Sequence, residues 1–275
     1  MEGDVPLPHW LELAGELGGV IGRSSRPVCF ILGAGCSLSS GAPTTTTVER
    51  AFRDATAARF RGIELRKAIH VMPEQEKQDI LRPLFAEVTY GPGYLAISAL
   101  GRYRTVLTLN LNWDKALANA CRRIGVELVS FDFNEPIDSW PSFSGPGVYD
   151  VHVHGIIGDQ CRYGHLETLN FTTQQETWLI ERGLVNTTVI LGASLANETD
   201  FTQLFIHRSH LVDTVRPPSS QWFFLRSSDV ELELGLDKLR RINVQIQPFT
   251  YECAPDVDFD IVATVAVDRA LALIT

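Results

Sequence analysis

The chain has 275 residues, 45% apolar and 21% charged, with a formal net charge of −9. That length accommodates one large α/β unit, or a core with a smaller inserted lobe, and the composition is that of an ordinary globular protein. The acidic balance argues against a broad nucleic-acid-binding surface, and no apolar run approaches the roughly 18–20 residues of a membrane span. Pro8 to Ile21 reads as an amphipathic helix, with Trp10, Leu11, Leu13, Leu17 and Val20 at near-helical spacing. Val28 to Leu32 is a short apolar run bounded by polar and glycine residues, the pattern of a buried strand. A Gly/Ser turn follows, and the hydroxyl run Thr44 to Thr47 is placed to cap a helix from Val48 to Phe60. Pro73 starts a helix over Glu74 to Val88, and Gly91-Pro92-Gly93 breaks it before another at Tyr94 to Arg102. This block has no strand signal, so a helical lobe is expected at about 48–102, inserted between the first two strands.

Strands and helices then alternate. Thr105 to Leu111, Glu127 to Phe131, Val148 to Val153, Thr187 to Leu191, Gln221 to Leu225 and Asn243 to Gln247 read as strands. Helices are expected at Trp113 to Ile124, Thr173 to Arg182, Asp200 to Val212, Leu232 to Arg241 and Phe259 to Ile274. An irregular Pro/Gly/Ser loop spans Asn134 to Gly147. Alternation of this kind predicts a mostly parallel, Rossmann-like α/β sheet with helices on both faces, and one unit fills residues 1–275. The five cysteines are scattered without a Cys-x-x-Cys pair, so neither a zinc site nor a disulfide framework is supported. The start, Met1-Glu2-Gly3-Asp4, is acidic and lacks the basic residues of a secretory signal. A reducing cytoplasm without membrane contact is the expected setting.

Chemistry concentrates where strands end. Gly33-Ala34-Gly35-Cys36-Ser37-Leu38-Ser39-Ser40-Gly41-Ala42-Pro43 directly follows the first strand. In open α/β sheets such a turn presents backbone N–H groups to a phosphate, and glycine permits close approach. Three further segments fall at expected strand ends: Thr108-Leu109-Asn110-Leu111-Asn112-Trp113-Asp114, His152-Val153-His154-Gly155 and Leu191-Gly192-Ala193-Ser194-Leu195. Each alone is compatible with an ordinary strand-to-helix junction, since Asn and Asp cap helices routinely. Their occurrence in this order after GAGxSxxSGxP is more specific.

Together these strings resemble the sirtuin (SIR2) superfamily over roughly Val28 to Tyr251, and are closest to SIR2-like domains of bacterial anti-phage defence proteins. The resemblance implies an NAD site. Gly33, Ala34, Gly35 and Ser37 would face the pyrophosphate, and Gly192 and Ser194 would lie by the adenosine ribose. Ser40, Pro43 and Thr44 would complete the cofactor loop. Asn112 would hold a water or ribose hydroxyl, His154 would act as general base, and Asp114 would accept a hydrogen bond from the nicotinamide carboxamide. Asn110 and His152 are the alternatives in register, with His152 expected deeper in the sheet. No metal is implied. The Phe and Arg that follow the Pro in the deacylases are replaced here by Thr44 to Thr47, and the four-cysteine zinc module is absent. Both departures favour water over acyl-lysine as acceptor. The expected activity is NAD hydrolysis to ADP-ribose and nicotinamide by a gated effector, a homo-oligomer controlled by a separate ATPase or nucleic-acid-guided partner. The alternatives are protein deacylation or ADP-ribosylation, and a non-catalytic NAD-sensing module.

Overall fold

The computed structural model describes residues 9–56, 65–132, 135–140, 142–158, 173–179, 187–193, 222–226, 233, 237, 246–250 and 255–275. Among the described residues seven strands form one sheet: β1 (Val28–Leu32), β2 (Thr105–Asn110), β3 (Leu128–Asp132), β4 (Gly147–His152), β5 (Thr187–Leu191), β6 (Trp222–Arg226) and β7 (Ile246–Thr250). Their order is β3-β4-β2-β1-β5-β6-β7, and every pair is parallel. The Rossmann-like parallel sheet read from the alternating pattern is therefore present. β1 and β5 match their expected bounds, and both are buried throughout, β1 with an all-apolar run and β5 with Val189, Ile190 and Leu191 after two threonines. The last strand lies three residues later than expected, at Ile246–Thr250. It contains Pro248, which an edge strand tolerates because only one ladder needs its N–H groups.

Side chains alternate between the two faces of this sheet. Val28, Phe30, Leu32, Val106, Val148, Val189 and Leu191 share a core with four helices. These are α1 (His9–Arg23), α5 (Pro92–Leu100), α6 (Ala116–Ile124) and α8 (Pro255–Ile274). The opposite face carries Phe131 and Tyr149, which pack with Trp140, Phe143 and, from α7 (Thr173–Leu179), Trp178. Trp140 and Trp178 also pack edge-to-face on each other, with ring centroids 5.0 Å apart. The helical segment between β1 and β2 divides in two. Its first part, α2 (Thr45–Thr56), α3 (Leu65–His70) and α4 (Glu74–Phe85), closes a separate cluster around Val48, Phe52, Ile69, Met72 and Leu81. Its last helix, α5, belongs to the main core through Tyr94, Ile97 and Leu100.

Local chemistry sets several helix starts. Thr44 Oγ1 accepts the Thr47 N–H at 3.2 Å, so α2 begins three residues before Val48. Pro92 occupies the first turn of α5, where its missing N–H costs nothing, and Asp260 of α8 accepts the Gly93 N–H at 2.7 Å. The expected helices at Asp200 to Val212 and Leu232 to Arg241 lie outside the described residues, apart from positions 233 and 237.

Candidate active site

The connection after β1 leads toward β2 and that after β5 toward β6, on the other side. The crevice above the carboxyl ends of β1 and β5 is therefore the switch point at which such sheets bind ligands. The Gly33 loop and Gly192 meet there. Gly33 N–H donates to Leu191 O at 2.9 Å and Gly35 N–H to Gly192 O at 3.0 Å. A Cβ on Gly33 would fall 2.3 Å from Ala193 Cα. Gly192 adopts φ +61°, and a Cβ there would fall 2.6 Å from Cys36 N. The glycines thus serve contact between the two loops. Because their amides are spent on Leu191 O and Gly192 O, Gly33 and Gly35 do not offer N–H groups to a phosphate. Within the loop, Ala34 is exposed, and the buried Ser40 hydroxyl lacks a hydrogen-bond partner among the described residues. Pro43 is half-buried, and Thr44 is exposed and caps α2. Ser194 lies outside the described residues.

Ser37 turns inward rather than toward a ligand. Its hydroxyl lies 2.7 Å from Tyr94 Oη, on α5. Asn112 follows the end of β2, and its Nδ2 donates to Gly33 O at 3.0 Å and to Tyr94 Oη at 3.3 Å. With both amide hydrogens committed, Oδ1 is the side-chain atom of Asn112 left to accept a hydrogen bond from a bound molecule. If Tyr94 accepts from Asn112, its own proton goes to Ser37, whose proton is then directed to Asp114, the carboxyl with which it interacts. Burial first, then the charges of Asp114 and Cys36, hold the Tyr94 phenol well above its ordinary value, so it remains a neutral hydroxyl. Asp114 accepts the N–H of Ala116, the first residue of α6, at 2.8 Å and so satisfies one of the free donors at that helix start. Burial raises its carboxyl, against opposing hydrogen bonds from Ser37 and Ala116 and the charge of His152.

The two histidines separate. His152 ends β4 on the helix-covered face, and its Nε2 lies 3.0 Å from Asp150 Oδ2, both side chains buried. Burial pushes the His152 imidazole down, but the charge and hydrogen bond of Asp150, the Asn112 backbone and the Asp114 charge outweigh it, and the net direction is up. Asp150 goes the other way: burial raises its carboxyl, and the His152 charge with hydrogen bonds from His152, Thr108 and Asn110 brings it below the ordinary value. His154 lies in the turn beyond the strand, buried, before Gly155 at φ +77°.

The fold therefore brings Gly33, Ser37, Gly192, Asn112, Asp114 and His152 to one end of the sheet, with His154 in the turn after β4. Tyr94 and Asp150 were not singled out from the sequence. Asp150 had a signal: Asp150 and His152 interrupt an apolar strand at period two, opposite Thr108 and Asn110. Tyr94 had none, because one tyrosine in an apolar helix reads as packing. Among the described residues no group of three or more His, Cys, Asp or Glu is arranged to hold a metal ion, and no helix is long and apolar enough to cross a membrane.

No family model and no curated protein matches this chain. Among solved structures, one described as "Structural Basis for the Mechanism and Regulation of Sir2 Enzymes" is similar over 94% of this chain and 97% of its own, at 12% identity and a TM-score of 0.49. Such a likeness supplies no residue correspondence, so the chemistry rests on the side chains themselves.

Proposed function

We propose that this chain binds NAD over the Gly33 loop and hydrolyses its nicotinamide–ribose bond. The observation that carries the reading is the buried hydrogen-bonded chain from Gly33 O through Asn112 to Tyr94 and Ser37, at the ligand-binding end of a parallel sheet. It fixes the Asn112 amide and leaves Oδ1 as a positioned acceptor. Bond cleavage of this type passes through an oxocarbenium-like ribose, as in glycoside hydrolysis. The C1′–N bond breaks and its electron pair neutralises the departing pyridinium nitrogen. A water oxygen bonds to C1′, held in line by a hydrogen bond that Asn112 Oδ1 accepts from it, and this hydrogen stays on the new ribose hydroxyl. The water's other hydrogen leaves as a proton to His154, the imidazole placed to act as general base, and then to solvent. Asp114 orients the nicotinamide carboxamide from the start of α6. Ala34, exposed in the loop, is the residue offered to the phosphates.

Water is the acceptor in this reading because the residues after Pro43 and the missing four-cysteine module depart from the acyl-lysine enzymes that the motifs resemble. An enzyme that destroys NAD harms its own cell, so the activity is gated, through self-association or a separate sensor protein. A role in anti-phage defence accords with such a device. Incubation with NAD, alone at high protein concentration and together with the product of the neighbouring gene, tests the reading. Release of nicotinamide and ADP-ribose in equal amounts supports it, and retention of intact NAD under all these conditions overturns it.

A further inference from the structure

Beneath the Asn112 turn, the face of the sheet that packs on α1, α5, α6 and α8 carries four polar side chains on β2 and β4, where β1 carries Phe30 and Leu32 at the matching positions. Thr108 stands opposite Asp150, and Asn110 opposite His152, in the β2–β4 register. All four are at most 3% exposed. Thr108 Oγ1 donates to Asp150 Oδ1 at 2.5 Å, while Asp150 Oδ2 faces His152 Nε2 at 3.0 Å and Asn110 Nδ2 at 3.4 Å. One carboxylate thus gathers three donors from two strands. Asn110 uses its other end, Oδ1, to accept the Asn112 N–H at 3.0 Å. From α6, Cys121 faces the same carboxylate, and burial together with that charge pushes its thiol up to about 11.

We propose that Asp150 is a positioning residue of the site, fixing the Asn112 turn through Asn110. The proposal rests on the reading of Asn112 as the residue that orients the acceptor. A buried ion pair contributes little to stability compared with apolar side chains of the same volume. Its presence here therefore calls for another role, and the hydrogen bonds supply one. Asp150 orients the Asn110 amide group, which leaves Oδ1 aimed at the Asn112 N–H. The side chain of Asn112 then reaches Gly33 O and Tyr94. A carboxylate is suited to this because it accepts all three donors at once, which an amide cannot.

Asp150→Asn tests the assignment. The amide keeps an oxygen for Thr108 but turns an NH₂ group toward Asn110 Nδ2, so two donors face each other and the hold on Asn110 is lost. Amide hydrogen exchange at Asn112 is expected to quicken at least about tenfold, with the β1 amides unchanged. Nicotinamide release is expected to show kcat reduced about 10–100-fold with KM within about threefold, the signature of a misplaced rather than missing group. Exchange at Asn112 equal to wild type overturns the proposal, as does a raised KM with kcat intact. If Asp150→Asn does not fold, Thr108→Val removes the 2.5 Å bond while keeping the side-chain shape, and the same exchange measurement decides. If the wild type releases no nicotinamide, the hydrolase reading falls, and exchange alone determines whether Asp150 holds the turn.

Discussion

Replacing Tyr94 by Phe removes one hydroxyl and little else. The ring is fully buried and its edge contact with Phe259, at 5.1 Å between centroids, is retained. What disappears is the 2.7 Å bond to Ser37 and the 3.3 Å bond from Asn112. Neutral hydrogen bonds contribute about 0.5–1.5 kcal/mol each, and the longer bond belongs at the low end, so the loss is about 1–2 kcal/mol. For a chain of this size that lowers Tm by about 2–8 °C. Asn112 keeps Gly33 O, so its amide stays near its place but gains freedom to rotate. A misoriented acceptor lowers kcat by about 10–100-fold while substrate binding changes little. Calorimetry and steady-state nicotinamide release on the purified variant measure both quantities. Unchanged kcat together with a normal Tm would refute the claim that Tyr94 orients Asn112.

Two further predictions follow from the loop contacts and the buried charges. Gly192→Ala places a Cβ at φ +61°, 2.6 Å from Cys36 N, and is expected to cost about 2–5 kcal/mol from left-handed strain plus overpacking. Chemical denaturation checks it, and a loss below about 1 kcal/mol would mean that the loops separate easily. Stability should also depend on pH through Asp150 and His152. Asp150 is lowered in the fold, so its contribution is present above the unfolded value of ~3.9 and is lost as pH falls through the folded one. His152 is raised, so its contribution is complete below ~6.5 and is lost as pH rises through the higher folded value. Asp114 and Cys121 face the pair and titrate around it, both with raised values. Tm is expected to fall on both flanks of that interval, and Asp150→Asn to flatten the alkaline limb. An unchanged alkaline limb in the variant would contradict the coupling.

The sheet was legible because its strands advertise themselves. β1 is uniformly apolar between Pro27 and Gly33, and β5 runs from two threonines into Val189-Ile190-Leu191 before Gly192, so both read as buried strands. Helix starts were read less well because capping depends on which side chain reaches which N–H. Asp114, expected beside a ligand, also holds the Ala116 amide, and this moves the start of α6 three residues from Trp113. The glycine loop was located correctly, but spacing does not reveal what its amides bond. Strand order decides that, since placing β5 beside β1 brings Leu191 O and Gly192 O to the Gly33 and Gly35 amides. Asp150 and Tyr94 escaped for a similar reason. Each matters through partners 40 residues or more away along β2, or 18 and 57 residues away for Tyr94, and only the fold makes those pairings.

The central claim is that Asn112 serves cleavage of NAD. The most direct measurement is nicotinamide release from NAD by the wild type and by Asn112→Ala, under the condition that gives the greatest wild-type turnover. Release by the wild type, reduced at least about 100-fold in a variant that still folds and binds NAD, is the predicted result. Equal release by both proteins, or none from the wild type under any condition, would contradict it.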